Sequence, residues 1–347
     1  MELNEELIRS LPKAELHCHL DGSVRVSTIL DLAEKQGVEL PYSNERELTS
    51  YLQVGDDCEN LEDYLKAFPV VNSVLQTPES LERVTYELAE DVVKENVRLL
   101  EIRFSPVLHT KNGLSLENVL TNVLKGKERA ENEFNIRIGI IISSIRSISP
   151  EVSMELAELT VNYKNRGVVG FDLAGPEENF PAKDHKEAFF HIINHNINTT
   201  VHAGEAYGAE SIHQAIHYTR ANRIGHGTRL REDQDLLRYV LDHRITLEMC
   251  VTCNVQTQCV KSYEDHPIKD YLDAGIRVTV NTDNRLISNT TLTEEYIKVA
   301  NLYQLTFSEL RHLIMNGFKA GFLPYQERKA LLESVGQELD SLLATPA

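Results

Sequence analysis

Glu15-Leu16-His17-Cys18-His19-Leu20-Asp21-Gly22 reads as a strand running into a turn. Residues two apart on a strand share a face, so His17 and His19 stand side by side with Leu16, Cys18 and Leu20 behind them. Two imidazoles presented in this way can share one metal ion. A half-exposed strand with two histidines on its polar face would carry the same letters. Partners further along the chain must separate the two readings.

Working outward, short β-branched runs recur at 14–20, 98–104, 136–145, 168–173, 199–203, 223–227, 245–251 and 276–282. Segments with helical spacing lie between them, at 78–96, 115–133, 150–165, 183–196, 208–221, 231–242, 290–303, 306–318 and 325–341. Several carry start signals: Thr77-Pro78 and Ser149-Pro150 place a capping hydroxyl before a first-turn proline, and Thr306 to Glu309 has capping-box spacing. Strand and helix patterns in alternation predict a parallel sheet covered by helices, an α/β fold of the (β/α)8 TIM-barrel kind. The stretch 22–97 is too long for one crossover helix. It contains helical spacing at 24–35 and 61–74, broken by Pro41, Gly55 and Asp56-Asp57. The simplest account is one barrel domain over 1–347, with a helical insertion after the first strand that could roof a site and additional helices at the C-terminal end.

Composition narrows the function. With 41% apolar and 25% charged residues the 347-residue chain is ordinary for a globular protein, and 35 basic against 53 acidic residues leave a net charge of −18. Such a field repels phosphate backbones and anionic lipid, so neither a nucleic acid nor a membrane is expected as a partner. Ile138–Ile142, the longest apolar stretch, is far too short for a bilayer. Five scattered cysteines fit reduced thiols better than a disulfide framework, and the acidic start has no secretory pattern, so a cytoplasmic protein is expected.

The remaining polar clusters fall at strand ends: Asp172-Leu173-Ala174-Gly175, His202-Ala203-Gly204-Glu205, His226-Gly227 and Asn281-Thr282-Asp283-Asn284. In a (β/α)8 barrel these carboxyl ends meet around one mouth, where such folds place their chemistry. His202 would add a third imidazole and Asp283 a carboxylate, a set that suits Zn²⁺ or a similar first-row ion. Glu205, past a flexible Gly204, can stand near the metal without ligating it, which suits a proton-transfer carboxylate. His226, between Gly225 and Gly227, has room to approach a reacting water as base or orienting group. Each residue alone could equally be a cap, loop or core residue.

Pro12-Lys13-Ala14-Glu15-Leu16-His17-Cys18-His19-Leu20-Asp21-Gly22-Ser23, Phe171-Asp172-Leu173-Ala174-Gly175, His202-Ala203-Gly204-Glu205, Arg223-Ile224-Gly225-His226-Gly227 and Asn281-Thr282-Asp283 together resemble adenosine deaminases, in order and spacing, from residue 10 to beyond 300. The resemblance implies hydrolysis of adenosine and 2′-deoxyadenosine to inosine or deoxyinosine and ammonia, by a metal-activated hydroxide attacking purine C6. It assigns one Zn²⁺ per chain to His17, His19, His202 and Asp283. Glu205 would donate a proton to N1, His226 would assist the hydroxide, and Asp283 would join them as the third catalytic residue. His19, Asp21, Gly175 and Asn284 would face the substrate, with the Gly175 backbone at purine N3 and Asp21 at the ribose 5′-hydroxyl. Protonating N1 at neutral pH requires a carboxylic acid that arrives neutral, so Glu205 is expected to have a raised pKa. The implied partner is a small purine nucleoside; the oligomeric state stays open.

Two positions depart from the family pattern. Asn284 stands where a second acid is common; its amide always carries donor hydrogens and could still meet purine N7. Pro176 also replaces an acid. Tyr64 and Phe68 fall where the family has an apolar helix over the pocket, or on an ordinary core face. A 5′-modified adenosine such as aminodeoxyfutalosine, and a two-metal amidohydrolase reaction, are the alternatives. Cys250 and Cys253 have metal-ligand spacing and, with His185, superficially suggest the cytidine-type zinc signature, but Met249 stands where that signature needs proline. Cys250 is expected to be a buried strand residue.

Overall fold

The computed structural model describes residues 3–55, 58 and 60–344, so the acidic break at Asp56-Asp57 lies outside the described residues. Eight parallel strands follow one another around the sheet in chain order: β1 (Lys13–His19), β2 (Val97–Phe104), β3 (Arg137–Ile145), β4 (Val168–Ala174), β5 (Asn198–Ala203), β6 (Arg223–His226), β7 (Thr246–Met249) and β8 (Val278–Val280). The last strand returns to the first. His19 N–H donates to Asp283 O (2.8 Å), Asp283 N–H donates to His17 O (2.9 Å), and Cys18 bridges Asp283 in parallel. The barrel is thereby closed, as the alternating pattern predicts.

Each expected strand forms, within a few residues of its expected bounds. β3 shows why: Ile138 and Ile140 to Ile142 are buried, the near-continuous apolar run of a strand covered on both faces. Gly139 lets Val169 of β4 come close, since a Cβ there would meet Val169 Cγ2 at 2.5 Å. The start signals also act as read. Thr77 and Ser80 cap each other at the head of Pro78–Val93, Ser149 Oγ accepts from Val152 N–H, and Thr306 and Glu309 form a capping box on Phe307–Ala320. Beneath the barrel Phe307–Ala320 packs on β1 and β8, where Gly317 lies against Ala14; Tyr325–Ala344 follows it.

The insertion is helical, as expected. Val26–Gln36 comes first, and Glu45–Leu52 is a further helix that the 22–97 reading lacks. The 61–74 segment is one continuous path of Leu61–Tyr64, a tight 3₁₀ turn at Leu65–Ala67 and Phe68–Val74. Tyr64 is 1% exposed and its hydroxyl hydrogen-bonds Ser288 Oγ (2.6 Å), fastening this segment to the loop after β8. No helix of the described residues is long and apolar enough to cross a membrane.

Candidate active site

At the carboxyl ends of the strands lies a cavity of about 400 Å³. Its roof is Leu61, Tyr64, Leu65, Phe68 and Pro69, and its floor carries His19, Asp21, His202, Glu205, His226, Asp283 and Asn284. The Tyr64 and Phe68 positions thus belong to the pocket wall. Residues far apart in the chain converge here because each ends a strand or begins the loop after one.

His17 Nε2 and His202 Nε2 are 3.0 Å apart, and His19 Nε2 is 3.1 Å from His202 Nε2. Asp283 Oδ1 lies 3.3 Å from both His17 Nε2 and His19 Nε2. The far sides of two rings are already engaged: His17 Nδ1–H donates to Glu248 Oε2 (2.9 Å), and His202 Nδ1–H to Asp172 Oδ1 (3.1 Å) and Leu173 O (3.2 Å). The opposed Nε2 atoms therefore face each other as lone pairs, a repulsive arrangement that a cation between them resolves. Ligand atoms on a tetrahedral ion with bonds of about 2.0–2.1 Å stand about 3.3 Å apart, close to the separations of these four pairs, and His226 also brings a ring nitrogen within 4.8 Å of the His17, His202 and Asp283 ligand atoms. The donor set fits a first-row divalent ion, and the carboxylates behind the imidazoles are the usual orienting partners. Burial first, with the Arg103 charge among the further causes, holds the His17 and His19 pKa values well below 6.5, so both rings are neutral and able to ligate.

Glu205 is buried, and its Oε2 lies 3.4 Å from His226 Nε2. Burial, then the charges of Asp283 and Glu177, raise its pKa well above 4.5, in line with the expectation of a neutral acid. Its backbone is held from the β4 side: Glu177 accepts from the N–H groups of Gly204 (3.1 Å), Glu205 (2.8 Å) and Ala206 (3.3 Å). Asp283 is also raised, by burial first. Both Asp283 and His226 adopt left-handed backbone conformations (φ 63° each), a cost of order 1–3 kcal/mol per residue that is usual where geometry is set by chemistry. Gly225 lets β6 approach β1, because a Cβ there would meet His17 Cε1 at 2.9 Å.

A chain of hydrogen bonds fixes the His226 tautomer. Ile268 N–H donates to His266 Nδ1 (3.3 Å), so His266 carries its proton on Nε2 and donates to Asn254 Oδ1 (3.1 Å). Asn254 then presents Nδ2, a donor only, to His226 Nδ1 (2.9 Å). The neutral His226 proton must sit on Nε2, which makes no hydrogen bond among the described residues, lies 3.4 Å from Glu205 Oε2 and faces the cavity. Burial above all keeps the ring neutral, well below its usual pKa.

Among the positions expected to face the substrate, Asp21 is buried, accepts from the Asn72 side chain, and has its pKa pushed up by burial to about 6. Gly175 lies at the cavity wall with φ 94°, a conformation that favours glycine. Asn284 packs so closely on Gly22 that a Cβ there would fall 1.8 Å from its Oδ1, and its amide meets the Tyr64 hydroxyl.

The cytidine-type signature does not assemble. His185 bonds Ser153 Oγ (2.6 Å) and Arg146 O (3.1 Å), and neither it nor Cys250 enters a metal-ligand cluster among the described residues. Cys250 is buried, just past the end of β7. Sequence reasoning gave no role to Glu248, Asp172, Glu177, Asn254 or His266. Only Asp172 and Glu177 carried a signal, as acids in the quoted strand-4 end and the residues after it.

The adenosine deaminase family model matches residues 12–338. A probable adenosine deaminase of Dictyostelium discoideum is 42% identical over 322 residues, 93% of this chain; the chain spans 42% of that relative's length. An adenosine deaminase of Clostridium acetobutylicum is 40% identical over 335 residues, covering 96% of this chain and all of the relative. Among solved structures, an adenine deaminase of Arthrobacter aurescens superposes with a TM-score of 0.89 at 25% identity over 95% of this chain and all of the other. An N6-mAMP deaminase of Arabidopsis does so with a TM-score of 0.86 at 26% identity, covering 97% and 99%. Full-length likeness at 40% identity, a family match over nearly the whole chain and a convergent His/Asp cluster at the mouth of the barrel place this chain in the adenosine deaminase family.

Proposed function

We propose the following division of labour in the hydrolytic deamination of adenosine to inosine and ammonia, the reaction of the family to which the chain belongs. A single Zn²⁺ held by His17, His19, His202 and Asp283 would act as a Lewis acid that makes water nucleophilic near neutral pH. Every other task falls to the chain's own groups.

The observation that carries the reading is the pairing of Glu205 with His226. Water adds to C6 only as the ring loses aromaticity, and neutral Glu205 offsets that cost by giving a proton to N1. His226 presents an N–H to the cavity, which favours the orienting role over that of base: it donates to the oxygen of the attacking water. Asp283 can take the water's proton and pass it towards the departing ammonia. The Gly175 backbone meets purine N3, Asn284 donates to N7, and His19 lines the same wall. Asp21 accepts from the ribose 5′-hydroxyl, a contact that 2′-deoxyadenosine keeps. The roof of Leu61, Leu65 and Phe68 excludes water from the purine. Such a protein works on small nucleosides in the cytoplasm.

The test is the fall in adenosine's ultraviolet absorbance at neutral pH, with and without a chelator. Adenosine and 2′-deoxyadenosine are expected to be turned over and 5′-substituted adenosines to be poor substrates. Glu205→Gln is expected to keep purine binding and to lose about 10²–10⁴ in kcat. Full activity in that variant refutes the role of Glu205.

A further inference from the structure

The mechanism leaves one nucleophilic side chain unused although it stands within the site. Cys253, on the short helix Val251–Gln256, is buried; its Sγ is 3.9 Å from Glu205 Oε1, and it hydrogen-bonds the Asp283 carboxylate. One ligand atom each from Glu205, Cys253 and Asp283 lie within 4.8 Å of one another. A thiolate at about 2.3 Å and a carboxylate oxygen at about 2.0–2.2 Å on one ion stand about 3.5 Å apart at a tetrahedral angle and somewhat further at wider angles. The observed separation falls in that range. Asp283 Oδ1 faces His17 and His19, and a carboxylate has a second oxygen to offer. Two buried carboxylates this close repel when ionised, so a cation between them is favoured.

We propose that Cys253, Glu205 and Asp283 form a second metal site, selective for thiophilic divalent ions such as Cd²⁺ or excess Zn²⁺, whose occupation switches the enzyme off. The soft sulfur sets the selectivity: hard ions such as Mg²⁺, which prefer all-oxygen sites, are excluded. On binding, the thiol proton and any proton on Glu205 leave to solvent. The ion then occupies the acid that N1 requires, so inhibition competes with adenosine; this consequence rests on the role given to Glu205 above, whereas the site itself rests only on geometry.

The experiment is a Cd²⁺ titration of the metal-loaded enzyme, with Mg²⁺ as control. Expected are one Cd²⁺ per chain in addition to the resident ion, a thiolate-to-cadmium charge-transfer band in the ultraviolet, and loss of turnover in step with the band. Cys253→Ser keeps a hydroxyl between the carboxylates; it should lose the band and need at least about tenfold more Cd²⁺ for the same inhibition, a change of about 1.4 kcal/mol. The proposal is overturned if the band is absent from the wild type or survives in Cys253→Ser. It is equally overturned if Cd²⁺ enters only by replacing the resident ion, or if the variant is inhibited at the same concentration. Should adenosine not be turned over at all, the assigned reaction fails, while stoichiometry and band still decide the site.

Discussion

Because Ile268 N–H donates to His266 Nδ1, the Asn254 amide can offer only its NH₂ group to His226, and the His226 proton points into the cavity. Replacing Asn254 by Asp, nearly identical in shape, would let a carboxylate accept from both rings. The His226 proton would then move to Nδ1, leaving Nε2 as a bare acceptor. A wrong tautomer in an otherwise intact site costs a hydrolase up to about 10⁴ in kcat. Asn254→Asp is therefore expected to lower kcat by about 10²–10⁴ with KM and metal content nearly unchanged, read by steady-state kinetics and imidazole ¹⁵N shifts. An unaltered kcat would show that the tautomer does not matter. At this scale the sequence was legible where chemistry sits at strand ends: His202, Glu205, His226 and Asp283 stand out because glycines or turns flank them. Glu248 did not stand out. It lies inside a run of β letters, Leu247-Glu248-Met249, and only the closed barrel shows that it faces His17. Asn254 and His266 were hidden for a similar reason: their roles exist only through each other.

The loops after β4 and β5 depend on one another. Glu177 follows β4, yet its carboxylate binds three successive N–H groups of the turn that carries Glu205, and its charge is one cause of the raised Glu205 pKa after burial and Asp283. Glu177→Gln keeps an acceptor and removes the charge, so Glu205 should ionise at lower pH. Because the role proposed for Glu205 needs it neutral, the alkaline limb of the kcat–pH profile should move to lower pH while the acid side is kept. Glu177→Ala also leaves buried N–H groups unpaired and should cost about 1–3 kcal/mol of stability, read as a lower Tm. If the limb does not move in Glu177→Gln, Glu177 serves the loop's shape alone. Elements that bury a continuous apolar face, such as β3 or Pro78–Val93, were readable from period and caps. The short helices Val251–Gln256 and Ile268–Asp273 were not, because fewer than two turns of helix carry no readable period and depend on contacts to neighbouring strands and loops. The first carries Cys253 and Asn254, and the second begins just after His266.

Across the whole molecule, a column of buried charge links the base of the barrel to the proposed metal ligands. Arg223, stacked 3.5 Å over the Phe322 ring, donates to Ala320 O (2.9 Å) and to Glu101 Oε2 (2.6 Å). It also donates to Glu248 Oε1, while Arg103 reaches Glu248 Oε2 (2.7 Å) and Leu16 O (2.8 Å), and Glu248 in turn holds His17. The alternation of strand and helix made the barrel legible, but not this interior, since such barrels are usually filled by branched aliphatic side chains. One carboxylate thus serves two guanidinium groups and the His17 imidazole. Glu248→Gln keeps the volume and removes the charge, leaving Arg103 and Arg223 short of a buried counter-ion, a change that typically costs about 3–5 kcal/mol. It also weakens the partner that fixes the His17 ring, an effect typically worth 10–100-fold in metal affinity. Both losses are expected together, the first as a fall in Tm of the metal-free protein and the second as a weaker Kd in competition with a chelator. Arg223→Met, which acts at the base without touching His17, should lower Tm and leave metal affinity nearly intact. If Glu248→Gln lowers Tm but binds metal as tightly as the wild type, the column supports the barrel without tuning the site.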